Sequence, residues 1–162
     1  INAGTNSCHG KKACNNVSDS TIDNDSCHGN NACNSVQSSI IHDGSCHGGF
    51  SCAFSENVKI GKGSCNAGSS NPNSINDYAY SCKYVLNVKI GNDSCNGKYD
   101  SCAFSENVKI GNNSCNGTNV CYKCKHDVPD NACNQGITDD MDIHGNCNYC
   151  KNGTPNDTHG ES

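Results

Sequence analysis

The sequence predicts an all-β fold: a disulfide-stapled parallel β-helix, a solenoid with about nineteen residues per coil. Three observations carry this. The segment Ser51–Gly61, SCAFSENVKIG, recurs letter for letter as Ser101–Gly111. Cys8, Cys27, Cys46 and Cys65 follow one another at intervals of nineteen. Before the later copies of these cysteines, apolar and polar residues alternate, as in Val58/Ile60, Val88/Ile90 and Val108/Ile110. Repetition at a fixed short period is the mark of a stacked repeat protein, and a period of two over a short run is a strand with one buried face. Nineteen residues are too few for a strand plus a helix, and no helical stripe is present. A right-handed coil is favoured, because right-handed crossovers dominate parallel connections, with a left-handed coil the alternative, since nineteen residues is also close to the length of short left-handed coils. About eight coils would form a rod roughly 35–40 Å long.

Composition explains why such a fold needs staples. Of 162 residues, hydrophobic ones make up only 33%, a figure that already includes sixteen cysteines, and there is no Trp. So little large apolar side chain cannot offset the conformational entropy of an ordinary domain. An even and high cysteine count points instead to a disulfide framework and an oxidising compartment. The net charge is −5 and every basic residue is a lysine. Without arginine, the main source of bidentate phosphate and base contacts, nucleic acid is not an expected partner. No apolar run is long enough to span a membrane.

Taken in order, Ile1–Ser7 reads as the second half of a coil, with Ile1 and Ala3 in the places of Val58 and Ile60. Regular units then begin at Cys8, Cys27 and Cys46, each with a second cysteine six positions on. An eleven-residue insertion falls between Cys65 and Cys82, a loop over 66–81, and one extra residue falls between Cys95 and Cys102. From each second cysteine to the next first one the distance stays at thirteen: 14 to 27, 33 to 46, 52 to 65, 82 to 95 and 102 to 115. The strand-bearing half is therefore rigid, and the corner between paired cysteines tolerates growth. Within-unit pairing follows: Cys8–Cys14, Cys27–Cys33, Cys46–Cys52, Cys65–Cys82, Cys95–Cys102 and Cys115–Cys121. On this reading the solenoid covers 1–121. Cys133 and Cys147 continue the first-cysteine series in degraded form. Residues 122–150 form an irregular, cysteine-rich cap, and 151–162 a polar tail or linker.

The last cysteines leave two readings open. One pairs Cys124 with Cys133 and Cys147 with Cys150. The other takes Cys121-x-x-Cys124 and Cys147-x-x-Cys150 as a zinc-ribbon spacing, against which Cys121 already occupies a regular second-cysteine place. No cofactor or metal is assigned.

His9, His28 and His47 each follow a first cysteine and would stack as a ladder along one edge. Asn66, Asn96, Asn116 and Asn148 hold the same place elsewhere, usually before Gly, so turn chemistry explains the position without a ligand. Seven asparagines lie in N-x-S/T sequons: Asn16, Asn24, Asn92, Asn112, Asn116, Asn152 and Asn156. Three of these, Asn24, Asn92 and Asn112, share one register, three residues before a first cysteine. They are expected at a solvent-facing corner as glycan acceptors.

No nucleophile–base pattern or repeated carboxylate pair marks a catalytic cleft, so no enzyme is expected. Ice binding would require a ladder of Thr on the outward strand position. That position reads Thr21, Ile40, Lys59, Lys89, Lys109.

The segments Ile90-Gly91-Asn92-Asp93-Ser94-Cys95-Asn96-Gly97 and Ile110 to Cys121 are similar to the cysteine-rich tandem repeats of secreted and cell-surface proteins of diatoms and other microalgae. The similarity covers roughly residues 1–121. It implies an extracellular β-solenoid in repetitive, often long chains, and brings no catalytic residues. The expected role is an extracellular structural rod, or a filament or coat subunit, secreted or at the cell surface. The rival is an adhesin or glycan-binding module built on the 66–81 loop with Tyr78, Tyr80 and Tyr84. Head-to-tail self-association through Ile1–Ser7, or contact with neighbouring solenoid coils, is the expected mode of assembly.

Overall fold

A computed structural model describes residues 1–67, 80–97, 101–117, 120–134 and 147. Among them there is no helix. The strands are β1 (Asn2–Ala3), β2 (Thr21–Ile22), β3 (Ile40–Ile41), β4 (Lys59–Ile60), β5 (Lys89–Ile90) and β6 (Lys109–Ile110). They form one parallel sheet in chain order. Register advances one coil at a time, so Ala3, Ile22, Ile41, Ile60, Ile90 and Ile110 stand in a single row. The protein is a disulfide-stapled parallel β-solenoid.

The period-two alternation has the expected consequence. Val58 and Ile60 are buried and Lys59 between them is exposed, and the pattern repeats at Val88/Lys89/Ile90 and Val108/Lys109/Ile110. The strands are nevertheless only two residues long. Left-handed corners cut them short: Asn57, Asn87 and Asn107 precede the buried valines at φ 53–55°, and Asp25, Gly44, Gly63, Asp93 and Asn113 turn the chain shortly after. Such backbone persists in non-glycine residues only where surroundings hold it. Here neighbouring coils do so. Strand residues donate forward, Thr21 N to Ser39 O at 2.9 Å and Asp23 N to Ile41 O at 2.8 Å. Many left-handed residues donate backward, Asp25 N to Thr5 O at 3.1 Å, Asn31 N to Lys11 O at 2.9 Å and Ser35 N to Asn15 O at 2.7 Å, whereas the left-handed cysteines donate forward, as Cys27 N does to Ser45 O at 2.9 Å.

Serine completes the thin interior. Ser26, Ser45, Ser64, Ser94 and Ser114 are buried in one column, each just before a first cysteine. Every one donates its hydroxyl to a carbonyl of the next coil: His42, Gly61, Gly91, Gly111 and Pro129, at 2.7–3.0 Å. Each hydroxyl oxygen also accepts from a backbone N–H of the next coil, that of Ser45, Ser64, Ser94, Ser114 or Ala132. Both capacities of the hydroxyl are thus used axially. Among the described residues no buried side-chain polar atom lacks a partner. Gly61 shows how closely the coils approach: a Cβ there would lie 2.5 Å from the Gly91 carbonyl carbon.

All six within-unit disulfides are present as expected, with Cα atoms 5.5–5.8 Å apart. Cys65–Cys82 spans the insertion with the same 5.7 Å separation as Cys46–Cys52, so Lys59 still pairs with Lys89. Within the insertion, residues 68–79 lie outside the described residues.

Stacking carries on past residue 121. Val128 bridges to Ile110, Cys115 N donates to Ala132 O at 2.9 Å, and Asn116 N donates to Asn134 Oδ1 at 3.0 Å. This places Cys133 in the first-cysteine column, and its disulfide partner is Cys147. The expected Cys124–Cys133 and Cys147–Cys150 pairs are corrected accordingly, as is the reading of Cys147 as a first cysteine. Cys124 belongs to another column: its N–H donates to the Ser105 hydroxyl at 3.1 Å, it is buried, and it is disulfide-bonded. Of the expected cap, residues 135–146 and 148–150 lie outside the described residues, as does the whole tail, 151–162.

Candidate functional site

A solenoid places chemically similar residues in columns, so its candidate sites are stripes. The histidine stripe forms as expected. The rings of His9 and His28 stack with centroids 5.0 Å apart, and those of His28 and His47 with centroids 4.7 Å apart. His28 Nε2 lies 2.6 Å from Asn6 O, and His47 Nε2 lies 2.6 Å from Asp25 O. A carbonyl only accepts, so Nε2 carries the proton. Asn66, Asn96, Asn116 and Asn134 use Nδ2 for the same bond, to Gly44, Asp93 and the equivalent corner carbonyls, at 2.8–2.9 Å. His28 and His47 are therefore corner clamps. Asn134 holds the place expected of Asn148, which lies outside the described residues.

Clusters with metal-ligand geometry do occur among the described residues, at Cys102/Cys115/Cys121 and Cys121/Cys133/Cys147. All five sulfurs are in disulfides, and a disulfide sulfur is no thiolate ligand. The zinc-ribbon spacing has lost its sulfurs to Cys115–Cys121 and Cys133–Cys147.

Sequon asparagines fall into two groups. Asn24, Asn92 and Asn112 are exposed, and each side-chain oxygen accepts from the preceding coil: Thr5 N, Lys62 N and Asn92 N, all at 2.9 Å. Asn112 Nδ2 also reaches Asp130 at 3.3 Å. Asn116 is half-buried, and its Nδ2 is engaged by Asp93 O and Asn113 Oδ1. Asn16 is exposed at a left-handed corner. Asn152 and Asn156 lie outside the described residues.

An aromatic stripe escaped the sequence reading. Phe54, Tyr84 and Phe104 all stand two residues after a second cysteine, stacked at 4.9 and 5.0 Å, with Tyr122 edge-on to Phe104. Each is roughly two-fifths exposed. Register relative to the second cysteine was the available signal. Phe50, Tyr80, Phe54 and Tyr84 surround the Lys83 ammonium at 4.3–5.9 Å from their centroids. Of the tyrosines assigned to a glycan surface, Tyr80 and Tyr84 join this cluster and Tyr78 lies outside the described residues. Ring faces in the stripe are turned toward one another, so its central rings offer edges rather than a platform for a sugar.

The outward strand row presents Thr21, Ile40, Lys59, Lys89 and Lys109, as the sequence predicted. Among the described residues no helix is long and apolar enough to cross a membrane. Disulfides in nearly every coil suit the chain to an oxidising compartment.

A family model described as a domain of unknown function (DUF7640) matches the chain twice, over residues 1–79 and 39–154. The two matches begin two nineteen-residue coils apart, as a repeat permits. No curated protein and no solved structure matches.

Proposed function

The chain belongs to the family described as a domain of unknown function (DUF7640), and from its architecture we propose an extracellular, non-catalytic structural role as a rod or a filament or coat subunit. One observation carries this reading. The serine and asparagine columns and the strand ladder bond each coil to the next, while each disulfide closes its own coil, so the hydrogen bonding between coils is directed along one axis. Disulfides fit a secreted or cell-surface setting, and the exposed sequon column at Asn24, Asn92 and Asn112 fits a glycosylated surface. The similarity to microalgal cysteine-rich repeat proteins points the same way.

Self-association follows from the same bonding. Asp25, Asn31, Ser35 and Ser38 donate back to the coil before them, and Asn6, Lys12, Asn16 and Asp19 share their left-handed backbone. A coil of the same polypeptide or of another copy can continue the ladder there. The test is electron microscopy of native material with disulfides intact. Fibres or a layered coat with an axial repeat near 4.8 Å by diffraction are expected. Dispersed monomers over a wide concentration range would overturn the filament reading.

A further inference from the structure

The pentapeptide Asn-Val-Lys-Ile-Gly stands at 57–61, 87–91 and 107–111, in three successive coils. Four of its five positions have a structural task. The asparagines adopt the left-handed corner and link to one another, Asn57 Nδ2 to Asn87 Oδ1 at 3.2 Å and Asn87 Nδ2 to Asn107 Oδ1 at 2.9 Å. Valine and isoleucine fill the interior. A Cβ at Gly61, Gly91 or Gly111 would meet the next coil's backbone at 2.4–2.6 Å.

The lysines have no such task. Lys59, Lys89 and Lys109 are exposed and directly opposite one another, about 4.8 Å apart along the stack. No carboxylate of the described residues lies within 4.0 Å of their ammonium groups. Glu56 and Glu106 sit on the bridge row three residues earlier, separated by Leu86. Asp127 comes one coil beyond Lys109 and accepts from the Lys109 backbone N–H at 2.7 Å. Like charges directly opposite on neighbouring strands destabilise a sheet, and lysine is a poor strand former. An acidic chain nonetheless lines up three cations on its outward strand row.

We infer that Lys59, Lys89 and Lys109 form a binding ladder for a linear anionic polysaccharide carrying one carboxylate or sulfate per sugar ring. The ammonium groups recur about every 4.8 Å along the stack, the length scale of a sugar ring, so anionic groups carried along one side of an extended polysaccharide fall within reach of the flexible lysine side chains. Nucleic acid fits less well. Its phosphates recur about every 3.4 Å along each strand of a duplex, and the stacked aromatic stripe leaves few open faces for bases. The inference does not rest on the rod reading, and a monomeric protein would bind equally.

The test is affinity electrophoresis of the full chain, disulfides intact, through polygalacturonate, dextran sulfate, neutral dextran or duplex DNA at low and moderate salt. Retardation by polygalacturonate alone identifies a uronate ligand, and retardation by dextran sulfate alone a sulfated one; either, or both, supports the ladder. The triple variant Lys59→Gln, Lys89→Gln, Lys109→Gln should bind roughly tenfold more weakly at low salt. The control Lys11→Gln, Lys12→Gln, Lys62→Gln removes the same charge and should bind nearly as the parent does. Unchanged circular dichroism and disulfide maps establish that both variants fold. Equal weakening in both triples, equal retardation by DNA, or retardation by neither anionic polymer overturns the inference.

Discussion

His47 and Asn66, one coil apart, clamp the solenoid through the same hydrogen bond: His47 Nε2 to Asp25 O at 2.6 Å and Asn66 Nδ2 to Gly44 O at 2.9 Å. Both side chains present an N–H to the carbonyl 22 residues earlier. Asn66 does one thing more, accepting from His47 N at 3.0 Å through Oδ1. His47→Asn should therefore leave stability within about 0.5 kcal/mol of the parent or raise it, whereas His47→Ala should cost about 1 kcal/mol. Urea unfolding midpoints under non-reducing conditions measure both. A His47→Asn variant as weak as His47→Ala would show that the ring itself is needed.

Ser64 is the clearest test of the interior column. Its hydroxyl donates to Gly91 O at 2.7 Å and accepts from Ser94 N at 3.0 Å. Alanine there leaves a buried donor and acceptor unmatched, so Ser64→Ala should cost about 1–3 kcal/mol. Exposed Ser18→Ala should change stability by less than about 0.5 kcal/mol. Equal effects at the two sites would mean that the column is not what joins the coils.

Disulfide mapping checks the corrected pairing. Non-reducing peptide digestion should yield a Cys133–Cys147 link and none between Cys124 and Cys133. Replacing Cys65 and Cys82 together with serine opens the longest of the regular loops and should cost about 3 kcal/mol, against about 2 kcal/mol for Cys46 and Cys52.

Glycan occupancy should follow side-chain freedom. In material secreted by a eukaryotic host, enzymatic deglycosylation in heavy-oxygen water should convert Asn24 and Asn92 to labelled Asp and leave Asn116 unlabelled. Labelling at Asn116 would mean that its bonds to Asp93 and Asn113 do not form in the secreted protein.

How much of this was legible in the sequence depended on whether a feature is fixed by chain length. Disulfides between Cys8 and Cys14 or Cys65 and Cys82 could be read because the step from second cysteine to next first cysteine stays at thirteen from Cys14 through Cys115. Lys59 could be placed outward because Val58 and Ile60 flank it. Cys133 could be placed in the first-cysteine series, but its pairing with Cys147 could not be read, since their separation of 14 departs from the spacing of six that pairs Cys8 with Cys14. Nor did composition announce that Cys46, Phe54 and Tyr84 would adopt positive φ. Left-handed backbone is ordinarily the habit of Gly and Asn, and here contacts from adjacent coils override that preference. The inward use of serine was hidden for a related reason: a hydroxyl reads as surface until both its partners are known.

The Cys65–Cys82 staple brings its Cα atoms to the same separation as a staple enclosing only five residues. The strands on either side keep their register across that corner, Lys59 pairing with Lys89. A lineage could therefore try new sequence at any such corner, lengthening or replacing it, while the neighbouring coils keep their alignment. The coils would then serve as a fixed frame for a corner whose content is free to change.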